Sequence, residues 1–130
     1  MKIAYIDTSV IVAILFNERG GKAMRRSLQK LDAVFSSNLL EAELRSVFVR
    51  EAIDIQFASA SLDAVRWVLP DRPLNPEISA VLKQGYLRGA DAWHLACALY
   101  LSPRSSDLLF LTLDVPQKKI AAKLGFSVKE

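Results

Sequence analysis

Apolar residues follow two rhythms along this chain. Mainly apolar runs cover Lys2-Ile3-Ala4-Tyr5-Ile6, Ala33-Val34-Phe35-Ser36 and Leu108-Leu109-Phe110-Leu111-Thr112. Such runs lack the alternation of a half-exposed strand and predict strands covered on both faces. Between them the apolar positions recur at helical spacing. The expected helices are about 9–16, then, after a turn at Asn17 to Gly20, about 21–31. A long helix is expected over about 39–53, with Leu40, Leu44, Val47 and Phe48 on one stripe and Asn38 able to cap it.

The second half continues the alternation. Phe57, Leu62 and Val65 predict a helix over about 56–66, followed by a possible strand at Trp67-Val68-Leu69 that Pro70 and Pro73 stop. Asn75-Pro76-Glu77 reads as an N-cap with proline in the first turn of a helix running to about Leu87. Gly89 interrupts, and a helix over about 90–101 ends before Pro103. A last helix over about 116–124 stops at Gly125, leaving Phe126-Ser127-Val128 as an edge strand. Strands alternating with helices predict an α/β fold, a three-layer α/β/α sandwich with a mostly parallel central sheet. The ligand site of such a fold lies at the carboxyl ends of its strands.

Composition fits that architecture. With 130 residues the chain is expected to form a single domain, and a hydrophobic share of 52% excludes intrinsic disorder. The net charge of +3 is compatible with a polyanionic partner without requiring one. Cys97 is the sole cysteine, so an intrachain disulfide and a Cys-based zinc site are excluded; within Leu95-Ala96-Cys97-Ala98-Leu99 it reads as a buried, inert thiol. Asp7 and then Asn17-Glu18-Arg19 break the N-terminal segment where a signal peptide would continue. With no apolar stretch long enough to span a bilayer, a cytoplasmic location is expected.

Four acids fall where the chain passes between strand and helix: Asp7, Glu43, Asp91 and Asp114. Each has a bland rival. Asp7 and Asp114 can cap the helices that follow them, and Asp91 suits the positive end of its helix dipole. Yet Asp91 lies four residues before Leu95, on the apolar side of its helix, where an unpaired carboxylate is costly. Glu43 and Glu41 flank the stripe of the long helix at similar angles, so periodicity does not separate them. His94, one turn on from Asp91, can pair with it or serve the core. As an ensemble, several carboxylates at one sheet end suit a hard cation, Mg²⁺ or Mn²⁺, which activates water and steadies the leaving oxygen in phosphodiester cleavage.

Rival aspartate chemistries fit less well. A haloacid-dehalogenase-type phosphatase needs a second Asp two residues after the first, where this chain has Ser9. The paired acids of a response-regulator receiver, a Gly-rich phosphate loop and a Ser-His-Asp signature are all absent from the sequence.

The segments Tyr5-Ile-Asp-Thr-Ser-Val-Ile-Val, Ser37-Asn-Leu-Leu-Glu-Ala-Glu-Leu-Arg, Leu87-Arg-Gly-Ala-Asp-Ala-Trp-His-Leu-Ala-Cys-Ala-Leu, Phe110-Leu-Thr-Leu-Asp and Ala121-Ala-Lys-Leu-Gly-Phe stand in one order. In that order and spacing the chain resembles PIN-domain ribonucleases, and in size and layout the VapC-type toxins of toxin–antitoxin pairs. The resemblance spans almost the whole chain. It places the family's metal-binding acids on Asp7, Glu43 rather than Glu41, Asp91 and Asp114, the last often reaching metal only through water. Ser9 and Thr112 match hydroxyl positions that help order the site, and His94 belongs to the motif of Asp91. The resemblance implies a Mg²⁺- or Mn²⁺-dependent endoribonuclease that leaves 5′-phosphate and 3′-hydroxyl ends. It further implies a homodimer and a cognate antitoxin that inhibits it. Arg45, Arg50 and Arg88 are candidate contacts to the RNA backbone. Two other readings remain: a PIN-fold binding module acting through protein partners, and a nuclease acting on DNA or flap structures. The longer insertions of the latter have no counterpart in so short a chain.

Overall fold

Five parallel strands, in the order β3-β2-β1-β4-β5, form the centre of the molecule. The structure is a computed structural model, and residues 1–129 are described. The strands are β1 (Ile3–Ile6), β2 (Ala33–Ser37), β3 (Val65–Val68), β4 (Leu109–Leu111) and β5 (Ser127–Val128). The helices are α1 (Thr8–Leu15), α2 (Gly21–Gln29), α3 (Leu39–Arg50), α4 (Ser59–Asp63), α5 (Asn75–Lys83), α6 (Gly89–Leu101) and α7 (Val115–Lys123).

The unbroken apolar runs of β1 and β4 divide between the two faces by the period-two geometry of a strand. Ala4, Ile6 and Leu111 meet Val10 and Ile11 of α1, Met24 of α2, and Leu40, Leu44 and Phe48 of α3. Tyr5 and Phe110 face the other way, stacked with ring centroids 5.4 Å apart, towards Val81 of α5, Leu95 of α6 and Ile120 of α7. Two apolar layers thus cover the sheet, and the α/β/α sandwich expected of the sequence is found with every strand pairing parallel. Among the described residues, no helix is long and apolar enough to cross a membrane.

The chain runs outward from β1 through β2 to β3, then returns to lay β4 on the other side of β1. The crevice between β1 and β4, at their carboxyl ends, is the topological switch point where open α/β sheets bind ligands.

Several sequence expectations are corrected at element boundaries. The helix foreseen over 56–66 is a 3-10 turn, Ile55–Ala58, then the short α4, and Val65 already belongs to β3. The free edge of β2 captures that segment, pairing Val34 with Val65 and Ser37 with Val68. Val65 and Val68 are buried while Arg66 is exposed, and Leu69, expected in the strand, lies outside it and exposed. The helix foreseen to reach Leu87 ends at Lys83, because Gly85 takes a left-handed φ of 157°. Asn75 is its first residue rather than its cap, a position held by Leu74. Asn38 does not cap α3 either: its backbone is already helical, and its amide donates to Glu41 at 3.2 Å. The Leu39 N–H donates instead to Ser37 Oγ at 3.1 Å. α3 stops at Arg50, before Ala52 turns left-handed, and α2 stops at Gln29.

Candidate active site

The β1 strand ends at Ile6, so the next residue, Asp7, stands at the switch point with only 3% of its surface exposed. It occupies the N-cap position of α1, but its carboxylate makes no capping bond. Its oxygens are held by two hydroxyls instead: Ser9 Oγ donates to Oδ1 at 2.6 Å and Thr112 Oγ1 to Oδ2 at 2.7 Å. Ser9 also accepts the Leu113 N–H at 3.0 Å, so the start of α1 is tied to the end of β4. Burial pushes the Asp7 carboxyl above the usual range; the two hydroxyls oppose that shift and nearby Asp91 adds to it.

Asp91 lies in the first turn of α6, with its side chain 22% exposed. Burial raises its carboxyl too, and the charge of Asp114 raises it further. Arg88 approaches it at 3.8 Å, but that guanidinium is 82% exposed and the contact is weak. Asp114 caps α7, its Oδ2 accepting the Gln117 N–H at 3.0 Å, while its own N–H donates to Thr112 Oγ1 at 3.0 Å. The capping read from sequence is therefore realised at Asp114 and not at Asp7.

The tie between Glu41 and Glu43 is broken by their neighbours. Glu41 pairs with Arg45 of its own helix at 2.7 Å. Glu43 faces α1 and α6, where Thr8 Oγ1 donates to its Oε1 at 2.6 Å and His94 Nε2 lies 3.2 Å from the same oxygen. The hydrogen bond from His94 holds the Glu43 carboxyl below its ordinary value against the opposing effect of burial. His94 is buried, and its Nδ1 lies 2.7 Å from the Tyr5 hydroxyl. That hydroxyl accepts the Ser37 N–H at 2.9 Å and has one proton to give. Giving it to Nδ1 makes Nε2 the N–H that donates to Glu43, a chain from the core of the sheet to the acid cluster. Tyr5→Phe removes the middle of this chain and strands two buried polar groups. It is expected to cost about 1–3 kcal/mol of stability. Urea denaturation checks this, and an unchanged midpoint would show that neither group relies on the hydroxyl.

All four acids of the sequence reading thus reach one end of the sheet, with mutual charge effects linking Asp91 to Asp7, Glu43 and Asp114. Ser9, Thr112 and His94 all touch them. Three participants escaped the sequence reading: Tyr5, Thr8 and Gln117. Thr8 adjoins Asp7 and could have been suspected. Tyr5 looked like a strand core residue, and Gln117 carried one weak signal, a polar side chain on the inner side of α7. Of the candidate RNA-contacting residues, Arg45 and Arg50 are engaged by Glu41 and Glu51, and only Arg88 borders the acids. Cys97 is buried, and burial pushes its thiol up to about 12, consistent with an inert side chain.

The donor set fits a hard divalent cation, being made of carboxylate oxygens. Among the described residues, however, no three His, Cys, Asp or Glu side chains converge on one point. The fit is therefore to an ion that takes one or two direct carboxylates and completes its shell with water, as Mg²⁺ does.

Comparison with known proteins shows the family. Ribonuclease VapC45 of Mycobacterium tuberculosis (strain CDC 1551 / Oshkosh) is 32% identical over 112 residues, with 76% of each chain covered. Ribonuclease VapC49 of Mycobacterium tuberculosis (strain ATCC 25618 / H37Rv) matches to the same extent. Residues 4–123, which include all four acids, strands β2 to β4 and β1 from its second residue, match the PIN domain, and the chain belongs to the PIN-domain family.

Proposed function

We propose that this protein is a divalent-metal-dependent endoribonuclease serving as the toxin of a toxin–antitoxin pair. The observation that carries the reading is the meeting of Asp7, Glu43, Asp91 and Asp114 at the β1/β4 switch point. The names of the ribonuclease relatives support RNA as the substrate.

Asp7 and Asp91 would hold Mg²⁺ or Mn²⁺, with Glu43 and Asp114 completing the site, and the ion would supply activation of water and charge neutralisation at the leaving oxygen. The chain's own groups prepare that chemistry. Ser9 Oγ and Thr112 Oγ1 each stand within hydrogen-bond distance of one Asp7 oxygen and so restrict how the carboxylate can turn. Thr8 and His94 hold Glu43 ionised, leaving its second oxygen, Oε2, outside both bonds. Exposed Arg88, beside Asp91, can meet an RNA phosphate as the strand enters. Attack by water with departure of the 3′-oxygen gives 5′-phosphate and 3′-hydroxyl ends; attack by the ribose 2′-hydroxyl, expelling the 5′-oxygen, would leave a cyclic phosphate instead.

The test is cleavage of a structured RNA by the purified chain with Mg²⁺ or Mn²⁺, with and without EDTA. Cleavage is expected only with free metal, and Mn²⁺ is expected to raise the melting temperature. Undiminished cleavage in EDTA, or cyclic-phosphate ends, would sink the metal–water reading. A chain that binds no metal and cleaves no RNA would instead be a binding module. Inhibition by a cognate antitoxin and a homodimeric state belong to the same proposal. Val49 and Phe57, exposed large apolar side chains, offer surface for such association, which light scattering of the purified chain checks.

A further inference from the structure

Gln117 is polar, wholly buried, and lies in the first turn of α7. Its side-chain amide spans two elements. Nε2 donates to the backbone carbonyl of Asp91 at 3.1 Å, and Oε1 lies 2.9 Å from Thr112 Oγ1. Thr112 in turn reaches Asp7 Oδ2 at 2.7 Å, and the Gln117 N–H donates to Asp114. One residue therefore touches the backbone of one acid, the side chain of a second, and the hydroxyl that holds a third.

The amide is hard to replace. A hydroxyl has one proton and two lone pairs, and Thr112 already accepts the Asp114 N–H. Its proton goes to Asp7 or to Gln117, so the two acceptors share a single donor. Gln117 Oε1 sits across that hydroxyl from Asp7 Oδ2 and competes with it for the Thr112 proton, so the amide bears on how Asp7 is held. At the other end, Nε2 pins the first turn of α6 to α7 at the residue that carries the Asp91 carboxylate. Burial alone would favour an apolar side chain here, since an amide gains little from the core unless both of its ends are bonded.

We propose that Gln117 is a positioning residue for the divalent-cation site, setting the spacing between Asp7 on the β1 side and Asp91 on the α6 side. The inference rests on the nuclease reading above and adds to it a residue that touches neither metal nor RNA. Removal of such outer partners lowers metal affinity about 10–100-fold.

The experiment compares the full chain with Gln117→Met, which keeps the length and volume but loses both bonds, and Gln117→Asn, which keeps the amide but is one methylene too short. Ile120→Val, on the same helix and away from the acids, controls for loosened packing. Melting in EDTA, the Mn²⁺ titration midpoint, and kcat and KM on RNA are read for each. Both Gln117 variants are expected to melt near Ile120→Val in EDTA and to need about 10-fold more Mn²⁺. Their kcat should fall at low Mn²⁺ and recover as Mn²⁺ is raised, with KM for RNA unchanged. A wild-type Mn²⁺ midpoint in both variants, while Asp7→Asn loses the metal, overturns the positioning role and leaves the nuclease reading standing. An equal shift in Ile120→Val, or failure of both variants to fold, makes the residue structural and overturns it as well. A wild-type chain that neither binds Mn²⁺ nor cleaves RNA overturns both readings.

Discussion

Asp7→Asn is expected to reduce metal-dependent RNA cleavage by about 10²–10³-fold while raising the melting temperature of the metal-free protein. The activity loss is of the size seen when one preorganised electrostatic group is removed from an active site, some 3–4 kcal/mol of transition-state stabilisation. The stability gain has the opposite sign because the folded state holds this carboxylate at a disadvantage. Burial raises its pKa above the value in the unfolded chain, so its ionisation favours unfolding. Below the unfolded value both states are protonated, and wild type and variant should melt alike. As pH rises through the folded value, the wild type loses stability that the variant keeps. An amide also suits the hydroxyl pair: its oxygen accepts from Ser9, and its nitrogen donates to Thr112, which then donates to Gln117. In EDTA at neutral pH the variant should therefore melt above the wild type. Added Mn²⁺ should reverse the ranking, since only the wild type gains from binding. Melting curves over a pH series, with and without metal, check both halves. A variant that melts lower than wild type in EDTA at every pH would refute the account of Asp7 as a strained anion.

Gly21→Ala is expected to carry the largest stability loss of any single methyl addition to the glycines of this chain. A Cβ at that position would stand 2.3 Å from the Ala13 carbonyl oxygen and 2.8 Å from its carbon, both backbone atoms of α1 that have no rotamer to change. Relief requires α2 to move off α1, which also shifts the turn where Gly20 packs on Leu113 beside the acids. The cost should be about 3 kcal/mol or more, lowering the melting temperature by ~10 °C or more. Gly89→Ala makes the contrast, because a Cβ there meets nothing within 4 Å. At the start of α6 it should be neutral or stabilise by about 0.4–1 kcal/mol. Equal melting of the two variants would refute the packing argument.

What could be read from the amino-acid string alone divides along the range of the forces involved. The apolar runs of β1 and β4 announce themselves, because burial on both faces excludes polar residues locally. β3 was misplaced because its start depends on the edge of β2, some thirty residues away, which pulls Val65 out of a helical pattern. Gly85 ends α5 by a backbone angle that the run of residues before it does not foretell. The acids at chain junctions stood out, but the choice between Glu41 and Glu43 needed partners distant in sequence, Thr8 and His94. Capping was likewise undecidable for Asp7, whose side chain had two hydroxyls to bind, one of them 105 residues away. Gln117 offered only a polar side chain on the inner side of its helix, because its role lies in what folding brings to it.

The order of the strands has a consequence for synthesis. β1 is made first, yet its β4 flank stays open until residues 109–111 arrive. A chain emerging from the ribosome with its first hundred residues carries Asp7, Glu43 and Asp91 but lacks Thr112, Gln117 and Asp114. Asp7 would then have Ser9 alone to hold it, and the Asp91 end of α6 would have no amide to tie it down. Closing that sequence gap is a slow, non-local step in folding. Any activity that depends on the four acids is therefore delayed until residues 109–117 have left the ribosome, a built-in interval between making Asp7 and arming it.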